Sequence, residues 1–156
     1  MTLPTGIRRA HLGDINAISQ IELLCFPGPA AYTRKQLAYL ALKANSSCFV
    51  DECDGRIRGF IILVYRRKSS YAGIETVDVD PEFQGKGVGV RLLAAAEADM
   101  RIRGVKKVKL EVSERNDSAV NLYKKMGFFE QERLVNYYIY KHHGTRNALR
   151  MVKHLL

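Results

Sequence analysis

Gly85, Gly87 and Gly89 recur at every second position behind a β-prone run, Thr76-Val77-Asp78-Val79, and ahead of a helix-prone one that starts at Val90. Pro81 cannot donate to a ladder, so the strand should end before it. A glycine loop that opens a helix exposes several unpaired backbone N–H groups, and the absence of side chains lets a ligand approach them. The helix dipole adds positive potential at the same place, which suits an anion, a phosphate above all. No Lys-Ser or Lys-Thr pair follows the last glycine, so the loop is not a Walker loop. Nor do glycines one residue apart, with no clear βαβ unit and following acid, fit the dinucleotide fingerprint. By spacing alone, a glycine-rich connection that binds nothing remains the lesser alternative.

Other chemistry-bearing residues have ordinary readings beside them. Glu111 lies on an alternating strand, Val105 to Val112, and shares its face with Lys107 and Lys109, so the pattern alone makes it a partner of a lysine. Tyr123 falls at a helical spacing that suits a packed aromatic. Asn116 suits a helix N-cap. His142 and His143 are neighbours and point to opposite faces of an extended segment, which is poor for a shared metal, and no metal site is expected. Three cysteines, Cys25, Cys48 and Cys53, have no metal-ligand spacing and read as buried thiols.

The elements that must position these residues can be read in order. Ile7 to Ala10 is a short strand. Ile15, Ile18 and Ile21 give a helix, with Asp14 as its N-cap or first-turn acid, and Pro27-Gly28-Pro29 ends it. Thr33 and Gln36 form a capping box for a second helix that runs to about Lys43. Ser47 to Asp51 and Arg58 to Tyr65 form a hairpin around Asp54-Gly55, and the apolar return strand should be buried on both faces. Tyr71 to Val79 is the strand that delivers the glycine loop. The next helix spans about Lys86 to Arg103 and closes at Gly104. A helix from Asn116 to Met126 and two closing strands, Phe128 to Val135 and Asn147 to Leu156, complete the chain.

At 156 residues the chain predicts one domain. A net charge of +9 favours an anionic partner such as a phosphorylated cofactor, an acidic protein or RNA. No basic run is longer than three residues and none is interleaved with aromatics as a nucleic-acid groove would be, so nucleic acid is not expected as a direct substrate. No apolar run nears the roughly 20 residues of a bilayer span. The first residues show no signal-peptide core. A cytoplasmic protein without membrane attachment is expected; the oligomeric state is left open.

Gln84-Gly85-Lys86-Gly87-Val88-Gly89 resembles the Q/R-x-x-G-x-G/A signature of the GCN5-related N-acetyltransferases. Leu110-Glu111-Val112, Asn116, Ala119, Leu122-Tyr123, Lys125 and Gly127-Phe128 resemble that family's second hallmark, and Arg8 to Glu22 its first strand and helix. Cys25-Phe26-Pro27 and Asn136-Tyr137-Tyr138 are similar to ribosomal-protein alanine N-acetyltransferases and related protein N-terminal acetyltransferases. Two departures stand out: Gly28 replaces the tryptophan expected after Phe-Pro, and Gly144-Thr145-Arg146-Asn147 replaces a glycine followed by acids.

The resemblance implies an α+β fold, a mixed and mostly antiparallel sheet of about seven strands with four helices, and an acetyl-CoA cleft where the strands ending at Val79 and Val112 splay apart. It implies direct acetyl transfer to a protein N-terminal amine or a lysine, a ribosomal protein among the candidate partners. Polyamines or amino acids are the alternative acceptors, and a non-catalytic acyl-CoA-binding module or a basic RNA- or ribosome-binding module the alternative class. Gln84, Gly85, Lys86, Gly87, Val88, Gly89 and Val90 would hold the pyrophosphate, Val77, Asp78 and Val79 the acetyl arm, and Asn116 and Tyr123 further parts of the cofactor. Glu111 would be the general base and Tyr123 the general acid. Tyr32, Tyr137, Tyr138 and Tyr140 are candidates for the acceptor groove, with Arg146 altering the charge beside it.

Overall fold

The computed structural model describes residues 1–156. Eleven main elements follow in chain order: β1 (Ile7–Arg9), α1 (Ile15–Cys25), α2 (Arg34–Leu42), β2 (Ser46–Cys53), β3 (Arg56–Tyr65), β4 (Tyr71–Val79), α3 (Val88–Ile102), β5 (Lys107–Ser113), α4 (Asp117–Lys125), β6 (Phe129–Leu134) and β7 (Ala148–His154). The strands form one seven-stranded sheet in the order β1-β2-β3-β4-β5-β7-β6. Every neighbouring pair is antiparallel except β4 and β5, as expected for a mixed and mostly antiparallel sheet.

The β4–β5 pairing is brief: only Tyr71 to Gly73 meet Lys107 to Lys109. Just past that ladder the β3–β4 register slips, with Ile62 opposite Thr76 and Leu63 opposite Ile74, so Glu75 is an extra residue. A bulge bends its strand and increases its twist. The second half of β4 therefore turns away from β5 and the sheet opens into a V.

β3 shows why its sequence is apolar throughout. Ile61 and Leu63 face α3 and α4, among Leu92, Ala96, Val120, Tyr123 and Met151. Phe60 and Ile62 face α1 and α2, among Ile15, Ile18, Ile21 and Leu37. Gly59 is a point of closest approach: a Cβ there would lie 2.7 Å from the Asp78 carbonyl oxygen and 2.9 Å from Val88 Cγ1. The start of α3 thus rests directly on the sheet.

The Thr33–Gln36 capping box forms as expected. Three expectations need correcting. α3 begins at Val88 rather than near Lys86, because Gly87 occupies the left-handed region at φ +80° and serves as its N-cap. Asp14 makes no side-chain cap on α1; its carboxylate accepts from the His11 amide at 2.9 Å and is gripped by Arg8 at 2.8 and 2.9 Å, which holds it below the usual carboxylate range. Only Cys48 is a fully buried thiol, while Cys25 is half-buried and Cys53 exposed. No helix is long and apolar enough to cross a membrane.

Candidate active site

The mouth of the V toward α3 is a cleft of about 750 Å³. Gln84, Gly85, Gly87, Val88, Gly89 and Val90 line one wall, and the start of α4 the other. Gly87 offers no side-chain cap, so the first N–H groups of α3 stay free at the cleft. At Gly89 a Cβ would lie 2.8 Å from Leu122 Cδ2, so glycine here lets α3 and α4 close together behind the loop. Lys86 does not line the cleft; its ammonium sits 5.6 Å from the centre of the Phe83 ring.

β4 supplies the floor, and strand parity decides which of its groups reach it. Asp80 donates its N–H to the Arg58 carbonyl at 2.8 Å. Antiparallel pairs alternate between bonded and non-bonded, so Asp78 is bonded to Phe60 while Val79 and Val77 turn their N–H and C=O groups away from β3, toward the gap. The Val79 carbonyl there accepts from Gln84 Nε2 and Cys25 Sγ, each at 3.3 Å. Burial, with Asp78 and Glu22 nearby, pushes the Cys25 thiol up to about 12, which makes it a donor and a poor nucleophile. Asp78, expected beside the cofactor arm, lines neither cavity of the V; its backbone is committed to β3 and its side chain points into the α1 layer.

The opposite mouth is a second cavity of about 390 Å³. Tyr32, Tyr137 and Tyr138 line it, as do three carboxylates, Glu22, Glu75 and Glu111. The Tyr32 hydroxyl donates to Glu75. Tyr138 stacks on His142 at 3.8 Å between ring centres, and His142 packs in turn on Phe26 at 5.7 Å. Tyr140 is half-exposed and outside the cavity. Arg146 also stays outside, donating Nε–H to the Tyr138 carbonyl at 2.8 Å, so it braces the segment that carries the tyrosines.

Glu111 lies 3.5 Å from Lys109 Nζ and 3.5 Å from an Nη of Arg150, its cross-strand neighbour on β7. The lysine pairing visible in the strand pattern is present, and so is access to the cavity. Tyr123 is 6% exposed, and no protein group hydrogen-bonds its hydroxyl. Burial first, then Asp78 and Tyr138, raise its pKa, so the phenol stays protonated. Asn116 caps α4 by accepting from the Ala119 amide at 3.3 Å. Both cavities are bounded by Phe26, Val77, Asn116, Ala119 and Tyr123, so they meet at the Tyr123 ring.

Sequence reasoning assigned no place in the cavity to Glu22, Glu75, Phe26 or His142, although Phe26 stood in a family-like motif and His142 was weighed as a metal ligand. Glu22 had a signal: it falls on the buried stripe of α1 beside Ile15, Ile18 and Ile21, where a carboxylate is out of place. Glu75 had none, because its position depends on the bulge.

The model of the family described as acetyltransferase (GNAT) family matches residues 15–128. An N-alpha-acetyltransferase of Sulfurisphaera tokodaii is 29% identical over 147 residues, covering 85% of this chain and 84% of that protein. A spermidine N(1)-acetyltransferase of Escherichia coli is 32% identical over 104 residues, covering 66% of this chain and 55% of that protein. Some of the curated relatives are longer proteins, of which the chain spans 61% in one case and 55% in another. Among solved structures, the ribosomal-protein-S18-alanine N-acetyltransferase of Escherichia coli superposes with a TM-score of 0.83 at 26% identity, covering 95% of this chain and 92% of that one.

Proposed function

The chain belongs to the GNAT acetyltransferase family, and from that premise we propose that it transfers the acetyl group of acetyl-CoA directly to a protein amine, an N-terminal α-amine or a lysine. The observation that carries this reading is the meeting of two cavities at Tyr123, one bounded by the glycine loop and the starts of α3 and α4 and the other by carboxylates and tyrosines. The cleft at the glycine loop fits the cofactor. Its uncapped helix start presents N–H groups to a diphosphate, and a Cβ at Gly89 would strike Leu122. Bound acetyl-CoA supplies an activated thioester.

This chain's residues then divide the work. The N–H groups of Val88, Gly89 and Val90 hold the phosphates. The N–H of Val79, turned into the gap, donates to the acetyl carbonyl oxygen as it gains charge. Glu111 takes a proton from the incoming ammonium, directly or through a water, so that the amine lone pair can bond to the acetyl carbon. As the carbon–sulfur bond breaks, the Tyr123 hydroxyl, which has no competing partner, returns a proton to the leaving thiolate and is itself reprotonated from water. Asn116 holds the α4 helix start in place at the junction. Tyr32, Tyr137 and Tyr138 shape the acceptor side, and Glu75 and Glu111 attract a cationic amine.

That negative lining also favours a second reading, a small polyamine as acceptor, in keeping with the spermidine-acetylating relative. A thiol-release assay with acetyl-CoA against N-terminal alanine peptides, lysine peptides and spermidine decides between them. Turnover with peptides supports the proposal, and turnover with spermidine alone replaces it. Measurable acetyl-CoA binding with silence across the panel would make the chain a binding protein.

A further inference from the structure

Glu22 on α1 and Asp78 on β4 are the most deeply enclosed acids beside the acceptor cavity, 2% and 1% exposed. Neither forms a salt bridge, although Arg and Lys ion pairs are common elsewhere in the chain. The groups facing them are few. Thr76 donates its hydroxyl to Asp78 Oδ1, the Tyr32 amide donates to Glu22 Oε2 at 2.9 Å, and the Cys25 thiol is directed to the Val79 carbonyl. Asp80 on the β4–α3 connection, Glu75 on β4, Tyr32 in the α1–α2 connection and Tyr123 on α4 are titratable neighbours without positive charge. Glu111, Lys109, Tyr137, Tyr138 and His142 line the same cavity as Glu22, and its one lysine pairs with Glu111 instead. The core on this face of the sheet is apolar, with Leu37 and Ala41 from α2 and Ile57, Phe60 and Ile62 from β3.

Two oxygens in this enclosure have no hydrogen-bond partner, Glu22 Oε1 and Asp78 Oδ2, and the two carboxyl groups stand within hydrogen-bonding reach of each other. Two ionised carboxylates cannot remain in contact where neither water nor a cation compensates them. One proton between them gives both orphaned oxygens a partner at once.

We propose that Glu22 and Asp78 share a single proton and act as a positioning pair for the acceptor cavity. The shared proton ties α1 to β4. The remaining Glu22 oxygen holds the Tyr32 amide, and with it the connection carrying Phe26 and Tyr32, two residues of the cavity wall. This role rests on the reading of that cavity as the acceptor side. Burial, followed by the Glu22 contact, moves Asp78 in the same direction, well above the ordinary carboxylate range.

Above the ordinary range of an aspartate, the unfolded chain has lost this proton while the folded chain keeps it. Folding stability therefore falls as pH rises, until the folded pair itself ionises. Ionisation places like charges in contact, parts α1 from β4 and releases the Tyr32 amide. Asp78→Asn keeps a donor toward Glu22 and an acceptor for Thr76, and has no proton to lose.

The test uses the full chain. At neutral pH, difference infrared spectroscopy of the wild type against Asp78→Asn should show a protonated-carboxyl band that the variant lacks. As that band titrates away, hydrogen exchange corrected for pH should show the Tyr32 amide losing protection at least tenfold in the wild type and staying protected in Asp78→Asn. With an N-terminal alanine peptide as acceptor, KM should rise several-fold over the same pH range relative to the variant, at unchanged kcat. Glu22→Gln, which also preserves both hydrogen bonds, serves as the second variant should Asp78→Asn fail to fold. Absence of the band at neutral pH, or identical exchange and KM profiles in wild type and variant, overturns the proposal. A peptide that is never acetylated counts against the acceptor reading, while the band and the exchange still decide the pair.

Discussion

On the α3 side of the V the groups proposed to recognise the ligand are main-chain amides: the start of α3, kept bare by Gly87 and Gly89, and the outward N–H groups of Val77 and Val79. On the α1 side they are side chains drawn from α1, the α1–α2 connection, β4, β5 and the segment between β6 and β7. Main-chain groups are the same whatever residue bears them, so the first side is sensitive mainly to added bulk. Side chains can be exchanged one by one without disturbing the sheet, so the second side can change its acceptor while the first keeps its ligand. One relative is named for α-amines and another for spermidine, and both match this chain.

The sharpest way to break the comparison is at the junction, where Tyr123 belongs to both sides. Tyr123→Phe should lower kcat about 10²-fold or more in the thiol-release assay, in line with the usual worth of a positioned acid. The dissociation constant for acetyl-CoA should not move. Glu111→Gln should lower kcat by a similar factor of about 10² at neutral pH, with partial recovery at alkaline pH as the amine loses its proton to water. Full activity in both variants would remove the proposed acid and base together.

The backbone side is broken by bulk. A β-branched residue at φ +80° is strained by about 1–2 kcal/mol. Gly87→Val should therefore weaken acetyl-CoA binding roughly tenfold, measured by calorimetry. The order of preference among acceptors should stay the same, and a changed order would show that the two sides are not separable. The smallest effects belong to the side-chain wall. Glu75→Gln removes one of the three carboxyl groups of the cavity proposed for the acceptor and changes the partner of the Tyr32 hydroxyl. It should raise the acceptor KM a few-fold and leave the acetyl-CoA KM alone.

This asymmetry also explains how much was legible beforehand. The glycine loop, the capping box at Thr33 and Gln36, the Asp54-Gly55 hairpin and the apolar β3 strand are local features, and each lies where its residues indicate. Tyr32, Tyr137, Tyr138 and Tyr140 were candidates for one groove, and the structure brings the first three to one cavity while leaving Tyr140 outside. Asp78 could not be placed from the run Val77-Asp78-Val79 alone. Its exclusion from the cleft follows from the parity of the β3–β4 ladder and the bulge at Glu75, which involve residues of another strand.

The amino-acid sequence by itself determined the order of elements, the phosphate-suited loop and the family motifs, because periodicity, capping and turn chemistry act within a few residues. Only the tertiary structure decided that β4 and β5 part after three paired residues each, that Glu111 meets Arg150 from a strand far along the chain, and that Glu22 and Asp78 are enclosed side by side. Those outcomes depend on which distant strands become neighbours and how far they twist, and the V with its phosphate-ready N–H groups is a product of both levels.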